Sequence, residues 1–274
     1  MGLVDNIKKS ARGNGTKIQS SDAAQLEAIF NRMFFLPKDI DKEVKFLKQV
    51  MTRGQETAER IGLHASNIIV SDNKWCLRQQ VLSLMYKQLQ GEQYSAGLRR
   101  IFAEGDAVHE KWQRLLIRAG YAQPEDLDRT RFNTKYRVSY TPDGIIYVPE
   151  FYEGKMVLEI KSVNTYQFQK MGKHPSASKQ CQFYMMQEGI DKGVVLCEDK
   201  NTQDFKLEVY DYQPEVTAPF EKRLKDVKQA YKEVQSTKRM VPRPADAKGP
   251  DCKRCHECPM REACYNIGQG RVRL

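Results

Sequence analysis

The sequence predicts an α/β protein whose core is a small mixed sheet flanked by helices. Apolar residues recur at helical spacing through most of the first 120 positions. Between residues 131 and 212 the pattern changes to short extended segments, and a helical segment separates two of them. A basic amphipathic helix follows the last of these segments. This succession indicates the fold class, although it does not determine the order of the strands.

Residues 1–60 are predicted to form a helical extension in front of the core. Residues 1–19 are polar and contain glycine, so we expect them to be mobile. A capped amphipathic helix is expected from Ser21, Pro37 interrupts the pattern, and helical spacing resumes over 41–61. The extension has no recognisable chemistry, and a protein partner is one use that we consider for it.

Residues 61–240 are predicted to form the core. It begins with a turn and a helix over 64–89, and a long helix follows over 98–120. The long helix is expected to end at Gly120, because glycine readily adopts the left-handed conformation that follows a helix. Residues 131–140 then alternate as a strand, a turn follows at 141–144, and residues 145–148 continue in extended form.

Three more strands and two more helices complete the predicted core. The strands are expected at 155–163, 193–199 and 205–212. A helix over 176–189, with Ser176 as its cap after Pro175, separates the first two of these strands. A second helix begins near Pro219. Residues 241–274 are a proline-rich connector and a cysteine-rich segment.

The composition indicates a globular protein with a polyanionic partner. Lys and Arg total 45 against 35 Asp and Glu, which gives a net charge of +10. Such an excess favours nucleic acid, because neutralising phosphates releases condensed counterions. No stretch approaches the roughly 20 apolar residues that cross a bilayer, and the basic start lacks the apolar centre of a secretory signal. We therefore expect an intracellular, cytoplasmic protein.

Two acidic residues, a lysine and a histidine form the candidate catalytic constellation. Glu159 and Lys161 are two apart on a predicted strand, so their side chains share one face. Asp143 follows the preceding predicted strand, and His109 lies in the helix before it. Two converging carboxylates suit Mg²⁺ or Mn²⁺, which prefer oxygen ligands. A lysine beside them can position a water or offset the charge that develops during phosphodiester hydrolysis.

The order of these residues resembles a known family. The matching motifs are Gly105-x-x-x-His109, Pro142-Asp143-Gly144, Glu159-Ile160-Lys161 and Gln180-x-x-x-Tyr184. Together they resemble the signature of RecB-type nucleases in the PD-(D/E)xK superfamily. The resemblance spans roughly residues 64 to 266, and it implies a restriction-endonuclease-like core of the PD-(D/E)xK type.

The resemblance also implies roles for individual residues. His109, Asp143, Glu159 and the backbone carbonyl of Ile160 would bind the Mg²⁺ or Mn²⁺ ions, and Lys161 would assist the attacking water. Three further residues would contact DNA or orient the site: Gln180, Tyr184 and Arg78.

Four of the seven cysteines crowd the C-terminal segment: Cys252, Cys255, Cys258 and Cys264. In a reducing compartment such short spacing indicates a metal site rather than disulfides. The last three leave a four-ligand site incomplete, and its fourth ligand could be Cys252 or the distant Cys76. With Cys252 the site would be local and would suit structural zinc.

The downstream spacing C-x2-C-x5-C with an upstream Cys-x-Arg element resembles the iron–sulfur nucleases, which include the CRISPR-associated RecB-like exonucleases and the AddB nuclease domain. Cys76 and Arg78 match the upstream element. The resemblance implies a 4Fe–4S cluster on four cysteines: Cys76, Cys255, Cys258 and Cys264. Zinc bound with the help of Cys252 is the alternative. Cys181 and Cys197 are expected to be core residues of a helix and a strand.

The expected function is that of a metal-dependent deoxyribonuclease, an exonuclease on single-stranded DNA or DNA ends, in DNA replication, recombination, repair or CRISPR-type processing. The sequence contains no Gly-x-x-x-x-Gly-Lys-Ser/Thr loop, so no helicase motor is expected within it. Two alternatives stay open. One is a non-catalytic DNA-binding module on a nuclease fold, and the other is an RNA-directed nuclease.

Overall fold

The structure, a computed structural model, describes residues 19–53, 62–86, 95–170, 175–256 and 258–266. These ranges contain nine α-helices and seven strands. The helices are α1 (Gln19–Met33), α2 (Ile40–Arg53), α3 (Ala65–Ile68), α4 (Leu77–Met85), α5 (Ala96–Ala119), α6 (Thr165–Lys170), α7 (Pro175–Glu188), α8 (Pro214–Thr237) and α9 (Arg261–Asn266). The strands are β1 (Leu63–His64), β2 (Arg131–Asn133), β3 (Val138–Tyr140), β4 (Gly144–Tyr147), β5 (Lys155–Val163), β6 (Lys192–Asp199) and β7 (Phe205–Asp211).

The main sheet has the order β4-β5-β6-β7. Its central pair, β5 and β6, is parallel, and the two outer pairs are antiparallel. Helices α1, α2 and α5 cover one face of the sheet with one apolar cluster, and α7 and α8 cover the other face with a second cluster. The predicted fold class, a small mixed sheet flanked by helices, is therefore confirmed.

Strand β5 is buried on both faces, which explains its nearly continuous apolar sequence. Side chains from Met156 to Leu158 and that of Ile160 have no solvent exposure, and neither does Glu159 between them. A carboxylate in the middle of such a strand is the exception that needs a chemical reason.

A second, three-stranded sheet has the order β1-β3-β2. The sequence predicts one strand over 131–140, but the structure shows a hairpin in which β2 and β3 pair antiparallel. The chain reverses after Asn133, whose side chain accepts a hydrogen bond from the backbone N–H of Tyr136. Arg137, with φ of 55°, completes the turn. The alternating pattern missed the reversal because both arms of a hairpin alternate in the same way.

Two helix starts differ from the sequence prediction. Helix α7 begins at Pro175, so Ser176 lies inside its first turn rather than capping it. Helix α8 begins at Pro214, five residues before the predicted start, and contains Pro219. Proline is well suited to a first helical position because its fixed φ is helical and its missing N–H would be unpaired there. The predicted end of α5 is confirmed, since Gly120 takes up a left-handed conformation with φ of 75°.

The N-terminal helices pack on the core. Helix α1 lies against β7 and α5, and α2 lies against α5. Exposed apolar side chains, such as Phe35, Ile40 and Met51, lie on these helices and the turn between them, and a protein partner for this region stays a prediction. The expected mobility of residues 1–19 falls outside the described residues except at Gln19, where α1 begins. No helix among the described residues is both long and apolar enough to cross a membrane.

Candidate active site

Strand β5 presents Glu159 and Lys161 on one face of the main sheet. The Nζ atom of Lys161 is ion-paired with Oε1 of Glu159. Ile160, between them, is fully buried in the apolar cluster on the opposite face. The geometry agrees with the alternation on which the sequence prediction was based.

Asp143 reaches the same place from the neighbouring strand. It directly precedes β4, whose first residue, Gly144, is paired with Leu158 of β5. Its Oδ2 atom accepts a hydrogen bond of 2.6 Å from the backbone N–H of Ile160. The two acidic residues therefore lie side by side at one edge of the β4–β5 ladder.

Helix α5 brings His109 to this pair. Its Nδ1 atom lies 3.2 Å from Oδ1 of Asp143. One helical turn further on, Gln113 donates a hydrogen bond of 2.8 Å from Nε2 to the backbone carbonyl of Asp143. Sequence reasoning missed Gln113, and the only available signal was its position four residues after His109 on the same face of the helix.

Burial and mutual repulsion set the protonation of the two carboxyl groups. Burial raises the pKa of Glu159 to about 8, and the negative charge of Asp143 adds to this effect. Burial also opposes ionisation of Asp143, but His109, Lys161 and the backbone N–H of Ile160 together outweigh it, so the pKa of Asp143 lies below its ordinary value. The environment thus drives apart the pKa values of two neighbouring carboxyl groups, a pattern found at catalytic sites.

The two basic groups keep their charge more readily than in water. Burial alone would lower the pKa of His109, but Asp143 raises it above its usual value. Burial likewise opposes the charge on Lys161, and Glu159 and Asp143 together raise the pKa of its amine. A positively charged amine is therefore held beside the two carboxyl groups at neutral pH.

Gln180 and Tyr184 lie on the same face of α7, where Nε2 of Gln180 donates a 2.9 Å hydrogen bond to the Tyr184 hydroxyl. Burial raises the pKa of Tyr184, and the charges of Glu159 and Asp143 raise it further, so the ring lies within electrostatic reach of the carboxylates. The ring also stacks on Tyr140 with centroids 6.0 Å apart. The structure therefore brings these two residues to the site, where their contact with DNA stays a prediction.

Arg78 lies elsewhere, at a cavity between α4 and the C-terminal segment. Its Nε donates to Sγ of Cys264 at 3.0 Å, and its Nη2 donates to the carbonyl of the same residue at 3.1 Å. A further hydrogen bond reaches the carbonyl of Val241. All of these contacts join α4 to the C-terminal segment, so in this structure Arg78 orients that segment rather than the carboxylates.

The cavity beside Arg78 is lined by the four cysteines that the iron–sulfur resemblance selects: Cys76, Cys255, Cys258 and Cys264. Of the five cysteines in these segments, only Cys252 does not line it. Burial raises the pKa of the Cys258 thiol to about 11, with smaller effects from the other three thiols, Cys76 first. Cys181 is buried in α7, as expected of a core residue, whereas Cys197 lies on β6 as expected but is only partly buried.

Within the described ranges, no three or more His, Cys, Asp or Glu side chains are drawn together as a preformed metal site. Glu159 instead contacts the ammonium group of Lys161, and Asp143 contacts the His109 ring and the backbone N–H of Ile160. One observation nevertheless fits a bound cation, because Oε2 of Glu159 is buried and has no hydrogen-bond partner among the described residues. A buried carboxylate oxygen without a partner is costly, and a cation would satisfy it.

Comparisons with known proteins were made by sequence and by structure. No known family and no curated protein matches the sequence. The solved structures with a similar fold include SSO0001, with 15% identity over 82% of this chain and 96% of that one and a TM-score of 0.43. They also include LHK-Exo in complex with dAMP, with 16% identity over 66% and 93% of the two chains and a TM-score of 0.48.

A further structure is of the alkaline exonuclease LHK-Exo from Laribacter hongkongensis, with 15% identity over 66% of this chain and 93% of that one and a TM-score of 0.45. All of these are similarities of fold at low identity. The function of this chain is therefore inferred from its own residues.

Proposed function

We propose that the protein is a metal-dependent deoxyribonuclease that hydrolyses phosphodiester bonds, acting as an exonuclease on single-stranded DNA or DNA ends. The observation that carries the proposal is the meeting of Asp143, Glu159 and Lys161 at one point, with an oxygen of Glu159 buried and unsatisfied. Such an arrangement costs stability, and it makes chemical sense where a cation and a phosphate are to be bound.

The residues present suit Mg²⁺ or Mn²⁺. Three side chains and one backbone group would hold it: His109, Asp143, Glu159 and the carbonyl of Ile160. When bound, the ion would lower the pKa of a water molecule and offset negative charge on the phosphate. The chemistry of this donor set, mainly oxygen with one imidazole, suits these ions better than softer metals.

The protein side chains would supply positioning and charge. The ammonium group of Lys161 stays protonated, so it can orient the attacking water and stabilise the charge on the phosphate oxygens. Gln113 holds the backbone of Asp143, and Ile160 holds its carboxylate. The net charge of +10 suits a nucleic acid of either kind. The preference for DNA rests on the sequence motifs alone. We assign this activity to DNA replication, recombination, repair or CRISPR-type processing in an intracellular setting.

The decisive variant is Glu159→Gln, tested on 5′- and 3′-labelled single-stranded DNA with Mn²⁺ or Mg²⁺. We expect cleavage to fall by roughly 10³-fold, because the substitution removes a metal ligand and charge from the transition state. Stability should be maintained or increased, since a neutral amide of the same shape replaces a buried carboxylate that favours its protonated form.

Glu198→Gln is the matched control. Glu198 is equally buried, lies on β6 with its side chain on the opposite face of the sheet, and is bound by Lys111 and Trp112. This variant should lose stability but cleave normally when folded. Full activity of Glu159→Gln, or a wild-type protein that degrades no DNA with either ion, would refute the proposal. Cleavage of RNA alone would favour the RNA-directed alternative.

We also propose that the four cysteines of the cavity hold a 4Fe–4S cluster: Cys76, Cys255, Cys258 and Cys264. They come from chain segments far apart in sequence yet line one cavity, and Cys252, the extra ligand of the zinc alternative, does not line it. Thiolates are the ligands that such clusters require. Because a bound cluster would join α4 to the C-terminal segment, its role would be mainly structural.

This second proposal is tested by anaerobic purification with iron and zinc analysis and visible absorption. Wild-type protein should be coloured and contain iron, and Cys76→Ala should be colourless and sensitive to protease. Cys252→Ala is the control and should keep its colour. A colourless wild-type protein that contains zinc would refute the cluster.

A further inference from the structure

A basic groove lies between helix α8 and the hairpin formed by β2 and β3, outside the candidate active site. Its volume is about 390 Å³, within the roughly 300–1,000 Å³ range of ligand sites. Six residues line it, four of them lysines: Lys135, Tyr136, Lys225, Lys228, Gln229 and Lys232. The proposed catalytic residues and the cysteines are not among them.

The arrangement follows from the helix period. Lys225, Lys228 and Lys232 recur at intervals of three and four residues, so they share one face of α8. The hairpin turn contributes Lys135 and Tyr136 to the opposite wall. A groove lined by amines is therefore built from two elements that are distant in sequence.

Most of this charge is not compensated. The amine of Lys135 lies 4.9 Å from the centre of the Tyr136 ring, and that of Lys228 lies 5.8 Å from it. Among the described residues, no carboxylate is ion-paired with Lys135, Lys228 or Lys232, whereas Lys225 is paired with Glu221 at 2.8 Å. Like charges brought together in this way repel one another, and an anion in the groove would relieve the repulsion.

Tyr136 provides a second, independent observation. Its side chain is only 8% exposed, and its hydroxyl is buried without a hydrogen-bond partner among the described residues. A buried hydroxyl without a partner costs free energy, and a water that enters beside the ring when a ligand binds would satisfy it. The groove thus combines uncompensated amines with an unsatisfied hydroxyl, which together suit a phosphate group.

The hairpin links the groove to the candidate active site. Tyr136 precedes β3, and Tyr140 ends this strand and stacks on Tyr184 beside the carboxylates. Tyr136 lies in the turn before β3, and the three residues of this strand, Val138–Tyr140, rise about 10 Å in extended form, a length that nucleic acid covers in a few nucleotides. A DNA strand with its scissile phosphate at Asp143 and Glu159 would therefore reach the groove within a few nucleotides.

We propose that this groove binds the phosphate backbone of the nucleic acid substrate a few nucleotides away from the scissile bond. The proposal rests on the proposed nuclease function and extends it. The groove is a positioning surface, so it contributes to substrate affinity and to the required substrate length, and it leaves the chemical step unchanged.

Two charge-matched triple variants test the proposal. The groove variant has Lys→Gln at Lys225, Lys228 and Lys232. The control variant has Lys→Gln at three lysines that are ion-paired away from the groove: Lys42, Lys45 and Lys192. Binding of labelled single strands of 4 and 20 nucleotides is measured by fluorescence anisotropy at several salt concentrations without divalent cations, and cleavage of both strands is measured with Mn²⁺.

The salt slope is the slope of log K for binding against log salt concentration. For the 20-nucleotide strand, we expect its magnitude to fall by about 2 in the groove variant, because each of the three lost phosphate contacts contributes about 0.7. Its KM should rise about tenfold while kcat stays unchanged, because these contacts bind ground state and transition state equally. The 4-nucleotide strand should be bound and cleaved as by wild type. The control variant should match wild type, apart from a small uniform effect of net charge.

Equal salt slopes for the two variants, with wild-type cleavage intact, would overturn the groove proposal and leave the nuclease function standing. A fall in kcat on the short strand would also overturn it, since the lysines would then act on the chemistry or the fold. A wild-type protein that neither binds nor cleaves DNA would overturn both proposals. Binding of inorganic phosphate to wild type and to the groove variant is measured as well. Its loss in the groove variant without any change in DNA binding would identify a free-anion site and would equally refute contact with the strand.

Discussion

The substitution Glu43→Gln should show how strongly the N-terminal helices are joined to the core. Glu43 lies on α2, is 4% exposed, and is bound by two arginines of α5. Arg114 lies 2.8 Å from its Oε2, and Arg118 is hydrogen-bonded to both carboxylate oxygens. The glutamine keeps the shape but leaves two partly buried guanidinium groups without their counter-charge.

The pKa of Glu43 gives the expected size of the effect. The hydrogen bond of Arg118 is the largest cause of a fall from 4.5 to about 2, with burial opposing it and Arg114 assisting. Each tenfold change in the acid constant is worth about 1.4 kcal/mol, so the carboxylate contributes about 3 kcal/mol at neutral pH. For a chain of this size the loss would lower Tm by roughly 6–10 °C.

Urea unfolding at several pH values measures this contribution. Because the pKa of Glu43 is lowered in the folded state, its contribution is complete above about pH 5. It is then lost as the pH falls from 4.5 towards 2. The stabilities of wild type and Glu43→Gln should therefore differ at pH 7 and converge in acid. Glu110→Gln is the control, since Glu110 is 39% exposed and lies 3.4 Å from the same Arg114, and its loss should cost about 0.5 kcal/mol or less. A Glu43→Gln effect below about 1 kcal/mol at pH 7, or one independent of pH, would refute the reasoning.

Two further substitutions test the packing of the sheet and the support of the site. Gly193→Ala should cost about 1–3 kcal/mol by urea unfolding, because the new Cβ would lie 2.5 Å from Sγ of Cys181 and 2.7 Å from Sδ of Met185. Cys181→Ala in the same chain should restore part of the loss, and no restoration would locate the strain elsewhere. Gln113→Ala should lower kcat or metal affinity by about 10–100-fold, since it removes the hydrogen bond to the Asp143 carbonyl. The metal concentration for half-maximal activity is measured for Gln113→Ala. It should rise if Gln113 positions Asp143, whereas a mere loss of stability would leave it unchanged.

Local patterns in the sequence were sufficient for much of the fold. The period of two in β5 correctly placed Glu159 and Lys161 on one face, and the glycine after α5 correctly ended that helix. The same local signals failed at the β2–β3 hairpin and at the start of α8, where proline can stand either at the first position or inside the helix. Patterns of this kind report which side of an element is buried, and they do not report where the chain reverses.

The sequence by itself determined the type of the long helices and of the main-sheet strands, the basic charge, and the identity and order of the candidate site residues. Only the tertiary structure decided the strand order, the contact of His109 with Asp143, and the support from Gln113. It alone showed that Arg78 is hydrogen-bonded to Cys264, and it gathered four lysines into one groove. The physical reason is that element type follows from local backbone and burial preferences. Contacts between distant residues depend instead on how whole faces of the sheet and helices are buried against one another.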